Sequence, residues 1–372
     1  MIISIATGPW LPVPGLQGGA IPRIWQGLAE EFAARGHVVR ILSRSYPGQP
    51  HTEVIRGVQY IRRLGFPQSP HITVDLFKDL VYALLTIPTL PNADILVIND
   101  FWLPVFAHLR PKVGKIVINA ARFPKGQYQL YSKTDFFAAA SHAIRNAIAQ
   151  QYPPAISRMG VIPNPIDTRI FSPLPVQVIK PEKVILYVGR LHPEKGIHLL
   201  LDAFAILSQQ ISHVKLRIIG PVKGSQGGGG KDYLTALKLK SAGLNVEFLE
   251  PIFDLHQLAN AYRDADLFCY PSIAEKGESF GVAPLEAMAT GVVPIVSDLE
   301  CFKDFILDNE TGYCFNHRTP QAVDNLAVKL GSVINNWKST SEVAIKARQK
   351  AQEYNYTKVS ALYLKTFESL LK

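Results

Sequence analysis

The sequence predicts an α/β protein with two doubly wound, Rossmann-like domains, each built on a parallel β-sheet. Short, continuously apolar runs alternate with helical patterns along the chain, as is typical of parallel strands that are buried on both faces. The length of 372 residues is enough for two domains. A proline-rich stretch over 163–181 separates the runs into two groups of five, and we expect the domain boundary there.

The ten predicted strands share this apolar character. The first group covers 2–7, 38–43, 95–99, 116–119 and 136–140, and the second covers 184–189, 216–220, 246–249, 267–270 and 292–296. Helical patterns over 21–34 and 196–209 follow the first strand of each group. We therefore predict a first domain over 1–165, a second domain over 166–353, and one amphipathic helix over 354–372.

Composition excludes several classes of protein. Hydrophobic residues make up 47% and charged residues 19%, so the chain is neither disordered nor fibrous. The three cysteines argue against a disulfide scaffold and fit a reducing cytosol. No run reaches the roughly 18 apolar residues of a membrane span. The first ten residues lack a basic region, which favours a buried strand over a signal peptide. We expect a cytoplasmic protein.

The positive charge is concentrated in the first half of the chain. Residues 1–165 contain 16 Lys+Arg and 8 Asp+Glu, which accounts for +8 of the net charge of +9. This asymmetry favours an anionic partner, and a well-solvated surface is the alternative. No nucleic-acid-binding module is recognisable. The apolar segment over 71–91 predicts either an amphipathic helix on an anionic membrane or an ordinary helix packed on the sheet.

Glycines follow the first predicted strand. Gly18 and Gly19 precede Pro22, which suits a helix start where backbone amides approach an anion. An ordinary glycine turn explains the pair equally well. The run GSQGGGGKD is not a phosphate-binding P-loop, because Ser225 stands where the first glycine belongs and Asp232 where Ser or Thr is required.

The segment GRLHPEKG follows the strand over 184–189. Arg190 and Lys195 lie in a loop that enters a helix, at the strand end where ligands of such sheets bind. A lone cation is usually a solvated surface charge. Two cations at one strand end favour the neutralisation of a diphosphate.

The segment ESFGVAPLEAMATG carries two glutamates around a helix start. Pro284 predicts the start of the helix, which puts Glu278 in the preceding loop and Glu286 in the first turn. Carboxylates accept hydrogen bonds from hydroxyls, and free amides near 280–283 suit a phosphate. The pattern therefore indicates a ligand with sugar hydroxyls beside a phosphate. Complementing the helix dipole explains one glutamate but not both.

Four motifs in order resemble one enzyme family. They are VIPNPIDTRIF, VGRLHPEKG, ESFGVAPLEAMATG and DNETGYCF, and their spacing resembles that of the retaining glycosyltransferases with the GT-B fold, family 4 or group 1. The resemblance implies two Rossmann-like domains facing a central cleft, with the terminal helix crossing back to the first domain. It also implies a retaining hexosyltransferase that uses a nucleotide-sugar, with UDP favoured as the nucleotide.

The resemblance assigns roles to individual residues. Arg190 and Lys195 would hold the diphosphate of the donor, Glu278 the transferred sugar and Glu286 the ribose. The remaining residues expected to bind the donor are Gly18, Gly19, Gly220, Ser279, Phe280, Gly281 and Val282. Many family members have a histidine after the fourth strand of the first domain, but this chain reads INAARFPKG there. Asn119, Arg122 and Asp100 are therefore the candidates on the acceptor or sugar side.

The resemblance implies no cofactor and no metal. Asp264 and Asp266 have the Asp-x-Asp form of a metal site, but they precede a strand and should lie at the wrong end of the sheet. The expected acceptor is a lipid, a lipid-linked glycan or a polysaccharide, as in cell-envelope glycan synthesis by a peripheral membrane enzyme. Two alternatives remain: a nucleotide-sugar 2-epimerase or phosphorylase on the same fold, and a non-catalytic sugar-nucleotide-binding subunit.

Overall fold

A computed structural model describes residues 1–15, 19–69, 71–174 and 182–372. The chain divides into two units. The first contains Met1–Pro165 together with Tyr356–Lys372, and the second contains Ile166–Asn355. Each unit has its own largely parallel sheet, so the predicted α/β class with two parallel-sheet domains is confirmed.

Within the described residues, the first unit has a sheet of eight strands. They are β1 (Ile2–Thr7), β2 (Val38–Arg44), β3 (Thr52–Ile55), β4 (Val58–Arg63), β5 (Ile95–Asn99), β6 (Lys115–Ala120), β7 (Phe136–Ala139) and β8 (Met159–Val161). Their order is β3-β4-β2-β1-β5-β6-β7-β8, and β3 is antiparallel to its neighbour. The helices that precede the second unit are α1 (Ala20–Ala34), α2 (Ile72–Thr86), α3 (Leu103–Phe106) and α4 (His142–Gln151).

The second unit has six parallel strands in its described part. They are β9 (Lys183–Val188), β10 (Val214–Ile219), β11 (Val246–Leu249), β12 (Leu267–Tyr270), β13 (Val293–Ser297) and β14 (Tyr313–Phe315). The helices are α5 (Ile197–Gln210), α6 (Gly230–Lys240), α7 (Leu255–Arg263), α8 (Val282–Ala289), α9 (Ala322–Asn335) and α10 (Trp337–Ala351). The order β11-β10-β9-β12-β13-β14 reverses direction between β9 and β12. Ligands of such sheets bind beyond the carboxyl ends of the strands at this reversal.

The expectation of five strands in each domain was wrong. The sequence reading missed β3, β4, β8 and β14. Strand β4 alternates buried and partly exposed residues, so it lacks the continuous apolar run by which the other strands were recognised. It forms a hairpin with β3 through Arg56 and Gly57, which both have positive φ. Strands β8 and β14 have three residues each, too few for a recognisable pattern.

The terminal helix, α11 (Tyr356–Leu371), packs on α1 in the first unit. The rings of Trp25 and Tyr363 have centroids 5.3 Å apart. The Tyr356 hydroxyl donates a hydrogen bond to the backbone oxygen of Arg23 at 3.1 Å. The last residues of the chain thus complete the hydrophobic core on one face of the first sheet.

Helix α2 has an unusual distribution of polarity. Its buried residues include Asp79, Tyr82 and Thr86. Its most exposed apolar residues are Ile72 (68%), Phe77 (67%), Leu84 (50%) and Leu85 (68%). The helix thus buries two polar side chains beside Tyr82 and Ala83, and it exposes large apolar side chains that an ordinary surface helix would bury. No helix in the described part of the chain is both long and apolar enough to cross a membrane.

Candidate active site

The loops that follow β9 and β12 lie against each other. The amide of Ile273 donates to the backbone oxygen of Glu194 at 2.9 Å. Gly196 has a φ of +67°, and a Cβ atom there would lie 2.0 Å from the backbone oxygen of Pro271. Only glycine permits both this conformation and this approach. The loop with Arg190 and Lys195 and the loop with Glu278 therefore form one surface.

Lys195 and Glu278 form a buried ion pair. The Lys195 Nζ donates to the Glu278 Oε2 at 2.6 Å, and the two side chains are only 5% and 10% exposed. The two residues are 83 positions apart in the sequence. The resemblance assigned Lys195 to the diphosphate of the donor and Glu278 to the transferred sugar. A buried pair of this kind stabilises a fold only when further polar contacts compensate for the loss of water.

Aromatic rings lie beneath the ion pair. The rings of Tyr187 and Tyr270 stack with centroids 5.7 Å apart and planes 8° from parallel. The Lys195 Nζ lies 5.6 Å from the centroid of the Tyr270 ring, within the range of a cation–π contact. Burial, and next the negative charge of Glu278, raise the pKa of both Tyr187 and Tyr270 well above the usual value. Both rings are therefore neutral phenols at physiological pH.

Arg190 is anchored beside the pair. Its Nη1 donates to the backbone oxygen of Gly227 at 2.8 Å, and its Nη2 donates to Glu194 Oε1 at 2.8 Å. The side chain is 40% exposed, so part of the guanidinium faces solvent. A diphosphate would have to compete with Glu194 for this cation.

The backbone amides of residues 227–230 in the glycine-rich loop over 224–230 donate hydrogen bonds within the protein. The amides of Gly227 and Gly228 donate to the backbone oxygens of Gly224 and Lys223. Those of Gly229 and Gly230 donate to Leu191 and Val222. Because these four donors are used within the protein, the loop cannot cradle a phosphate with them, in agreement with its departure from the P-loop pattern.

Helix α8 begins two residues earlier than predicted. It starts at Val282, and Gly281 caps it in a left-handed conformation with a φ of +91°. Pro284 is its third residue, where a proline costs nothing because amides of the first turn have no partner within the helix. A Cβ atom on Gly281 would lie 2.4 Å from a ring carbon of Phe302, so this cap also requires glycine.

The prediction that Glu286 lies in the first turn of α8 was therefore wrong: it is the fifth residue of the helix. Glu286 is 4% exposed, and its Oε2 accepts a hydrogen bond from the Tyr262 hydroxyl at 3.1 Å. Ser279 and Val282 are half-buried on either side of the cap. Phe280 points the other way, into a cluster with Phe305 and Tyr354.

Gly220, expected to bind the donor, follows β10 and lies beside Gly189. A Cβ atom on Gly220 would lie 1.8 Å from the backbone oxygen of Gly189. The amide of Gly189 in turn donates to the backbone oxygen of Ile219 at 3.0 Å. Close backbone packing alone thus requires glycine at this position.

The candidates in the first unit have different surroundings. Gly18 lies outside the described residues, and Gly19 caps α1 with a φ of +91°. Asn119 is 8% exposed, and its Nδ2 donates to the Tyr363 hydroxyl at 3.1 Å. Arg122 is exposed. In this structure Asn119 therefore anchors the terminal helix.

Asp100 is a buried acid at the carboxyl end of β5. Both of its carboxyl oxygens are buried, and Asp79 lies beside it. The Asp79 Oδ2 accepts from the amide of Trp102 at 3.0 Å. Burial first, and then the neighbouring Asp79, raise the pKa of Asp100 well above its usual value, although the amides of Phe101 and Leu103 act in the opposite direction. Asp79 was not predicted as a site residue, because nothing in the sequence distinguishes it from Asp75 and Lys78 in the same helix.

Asp266, the second acid of the Asp-x-Asp pair, has a structural role. The Asp266 Oδ1 accepts from the Lys183 Nζ at 2.9 Å, and its Oδ2 accepts from the amide of Val184 at 2.9 Å. These contacts join the amino-terminal ends of β9 and β12. The pair thus lies at the opposite edge of the sheet from Glu278, as its position before a strand predicted.

Comparison with known proteins identifies two family matches. The family described as Glycosyltransferase Family 4 matches residues 21–170, and that described as Glycosyl transferases group 1 matches residues 175–354. The phosphatidyl-myo-inositol mannosyltransferase of Mycobacterium tuberculosis is 27% identical, over 95% of this chain and 93% of its own length. The protein of the same name in Mycolicibacterium smegmatis is 28% identical over 212 residues, which is 51% of that protein.

Two solved structures share the fold. Sucrose-phosphate synthase from Thermosynechococcus elongatus has a TM-score of 0.78 and 19% identity, with 100% of this chain and 99% of that chain covered. Anabaena HepE in complex with UDP-glucose has a TM-score of 0.75 and 19% identity, with 98% and 99% covered. At this level of identity they establish a shared GT-B fold, as the sequence motifs implied.

The buried acid leads to a prediction about stability. A raised pKa means that the folded state favours protonated Asp100, so stability falls as pH rises above the unfolded value of about 4. The loss is complete above the folded pKa. We expect Asp100→Asn to raise the free energy of unfolding at pH 7 and to have little effect near pH 4. A difference of one pKa unit between the two states corresponds to about 1.4 kcal/mol.

Chemical denaturation between pH 4 and pH 8 tests this prediction. Asp135→Asn is the control, because Asp135 accepts from the amide of Ile116 at 2.8 Å and from Lys115 at 3.1 Å, so its carboxylate is well compensated. That variant should lose stability at pH 7. If Asp100→Asn is instead less stable than the wild type at pH 7, the folded state must stabilise the ionised Asp100 carboxylate, and the prediction is wrong.

Proposed function

The chain belongs to the group 1 glycosyltransferases with the GT-B fold, and we propose that it transfers a sugar from a nucleotide-sugar donor to a lipid or glycan acceptor with retention of configuration. A UDP-sugar is the favoured donor, since a structural neighbour that matches nearly the whole chain was determined with UDP-glucose. A lipid acceptor is supported by the mannosyltransferase relative, whose name specifies phosphatidyl-myo-inositol. Such an enzyme would work at the cytoplasmic face of a membrane.

The buried pair of Lys195 and Glu278 carries this proposal. The pair holds a cation and an anion in contact at a strand end, beside the start of α8. Unpaired amides in the first turn of a helix favour a phosphate, and the adjacent ammonium of Lys195 adds positive charge. The carboxylate of Glu278 has two oxygens that accept from hydroxyls, as binding of a hexose requires. One surface thus offers partners for both halves of a nucleotide-sugar.

Charge stabilisation would be the main catalytic contribution. As the bond from the sugar to the diphosphate breaks, negative charge grows on the leaving phosphate, and Lys195 with Arg190 is positioned to stabilise it. In a front-face reaction the leaving phosphate itself accepts the proton of the attacking hydroxyl. The protein then needs to hold the acceptor hydroxyl on the same face of the sugar as the leaving phosphate and to exclude water.

The charges of Lys195 and Arg190 also make a metal ion unnecessary in this proposal. Two cations near the first turn of α8 supply the positive charge that Mg²⁺ or Mn²⁺ provides to diphosphates elsewhere. We therefore propose an activity independent of divalent metals.

Helix α2 is the proposed contact with the membrane. Its exposed apolar face includes Phe77, Leu84 and Leu85, each at least 50% exposed. The segment before it bears Leu64, which is 90% exposed, and is tied to the helix by a 2.8 Å hydrogen bond from the Lys78 Nζ to the backbone oxygen of Pro67. With +8 of the net charge in residues 1–165, these apolar groups suit an anionic lipid surface.

Removal of the central cation should reduce catalysis strongly. We expect Lys195→Ala to lower kcat/KM by about 10²-fold or more, since one donor to a developing charge is worth roughly 2.7–4 kcal/mol. Glu278→Gln should lower kcat while the affinity for free UDP changes little, because this carboxylate faces the sugar. Release of UDP from UDP-sugars and calorimetry with UDP give the two quantities.

A double variant separates catalysis from folding. Lys195→Met with Glu278→Gln removes both charges, so neither is left buried without its partner, and the fold should remain stable. It should still be inactive. Lys240→Ala, which breaks the exposed pair with Asp202 in the same unit, is the matched control and should keep full activity. Full activity in the double variant would refute the proposed site.

Chelation tests the independence from metals. We expect sugar transfer to continue unchanged in excess EDTA, because Lys195 and Arg190 supply the positive charge. Initial rates with and without EDTA, each followed by added Mn²⁺, give the answer. Complete loss of sugar transfer in EDTA, with recovery on added Mn²⁺, would show that Lys195 and Arg190 do not supply enough positive charge for the reaction.

Membrane binding should depend on α2 and on salt. We expect the protein to sediment with vesicles that contain anionic lipid but not with neutral vesicles, and to be released as salt screens the charges. Phe77→Ser with Leu84→Ser should weaken this binding. Ile345→Ser, an exposed position (60%) in the second unit, is the control and should not. Equal binding by the wild type and the α2 variant would exclude α2 as the contact.

A further inference from the structure

A cluster of charged side chains joins the carboxyl ends of β12, β13 and β14. Glu275, in the loop after β12, accepts from Arg318 through Nε at 2.7 Å and Nη2 at 3.1 Å, and the His317 Nε2 lies 2.8 Å from the same carboxylate. Arg318 also lies 3.4 Å from Asp298, which follows β13. Both oxygens of Glu275 are thus held by residues that follow β14.

The contacts of Glu275 are those of an ionised carboxylate. Partial burial opposes ionisation, but the hydrogen bonds from Arg318 and His317 together lower the pKa of Glu275 below its usual value. A carboxylate has only acceptors, so His317 must carry its proton on Nε2. The His317 side chain is 4% exposed, which fixes one donor firmly in the fold. A two-pronged contact from Arg318 adds a defined orientation.

Glu275 and Glu278 lie on the same tight turn. The amides of Gly277 and Glu278 both donate to the backbone oxygen of Ala274, at 3.1 and 3.0 Å. The side chain of Glu275 ties this turn to the residues after β14, while that of Glu278 ties it to Lys195 after β9. Whatever fixes Glu275 therefore fixes the direction in which the backbone presents Glu278.

The rest of the loop is fixed independently. The Ser297 hydroxyl donates to the backbone oxygen of Ser272, and the amide of Ile273 donates to Glu194. On the other side, Phe280 is buried among aromatic rings. Residues 275–277 between these anchors are exposed. The charged cluster thus fixes the exposed part of the loop, residues 275–277.

We propose that Glu275, clamped by Arg318 and His317, is a positioning residue that sets the Glu278 carboxylate against Lys195 and thereby governs the binding of the transferred sugar. This inference rests on the proposed function, since it assigns Glu278 to the sugar. Glu275 is 50% exposed and acts only through the turn. It should therefore affect sugar-bearing donors and leave free nucleotide unaffected.

Two variants break the clamp from opposite sides. Glu275→Gln keeps the shape but loses the charge, and Arg318→Ala removes the two-pronged partner. We expect each to lower kcat/KM for the UDP-sugar about tenfold, while the affinity for UDP changes less than twofold. Lys303→Ala is the matched control, because Lys303 binds Asp298 and Glu300 at the edge of the same cluster. It should leave both quantities unchanged.

A double-mutant cycle tests whether Glu275 acts through Glu278. In a Glu278→Gln background, Glu275→Gln should cause little further loss, because the group that it positions is already altered. Hydrogen exchange of residues 274–278 gives a readout besides activity and should be faster in Glu275→Gln but not in Lys303→Ala. A merely structural role would instead lower UDP affinity and thermal stability together with activity.

The outcomes separate this inference from the proposed function. If the wild type turns over no nucleotide-sugar, the proposed function fails. If the wild type is active and Glu275→Gln keeps full kcat/KM, the positioning role is overturned. Additive losses of Glu275→Gln and Glu278→Gln would also overturn it, since independent sites add.

Discussion

The contact between Lys195 and Glu278 is the interaction on which the rest of the second unit depends. Two opposite charges that are 5% and 10% exposed are costly to remove from water unless their surroundings compensate. Here the Tyr270 ring contacts the cation, and Tyr187 stacks beneath it. The loss of either charge would leave the other buried alone, which costs about 3–5 kcal/mol in other proteins.

Backbone packing at the strand ends makes this contact possible. Gly196 lets the turn that bears Lys195 lie directly on Pro271, and Gly281 lets α8 begin against Phe302. A side chain at Gly196 would separate the two loops, and one at Gly281 would displace the start of α8 from Phe302. The strand order runs outward from β9 through β10 to β11 and then resumes on the other side of β9 with β12. The loops that follow β9 and β12 therefore lie next to each other at the carboxyl ends of the strands. The charged cluster around Glu275 then fixes the exposed part of the second loop.

The sequence predicted the parts of this arrangement that have a local signature. Continuous apolar runs identified strands such as β9 and β12, and the position of Asp266 before a strand placed it at the end of the sheet away from the expected ligand. Strand β4 was missed because its burial alternates, and α8 begins ahead of Pro284 because a proline is tolerated anywhere in a first turn. Contacts between distant residues have no such signature. Glu275 and Arg318 are 43 positions apart, and Tyr187 and Tyr270 read as ordinary strand residues.

A crystal structure of the protein with bound UDP would test the central claim most directly. We expect the diphosphate to lie within hydrogen-bonding distance of the Lys195 Nζ and the first amides of α8, with the Glu278 carboxylate left free to accept a sugar. Diphosphate bound elsewhere, for example on the glycine-rich loop over 224–230, with Lys195 still paired to Glu278, would contradict it.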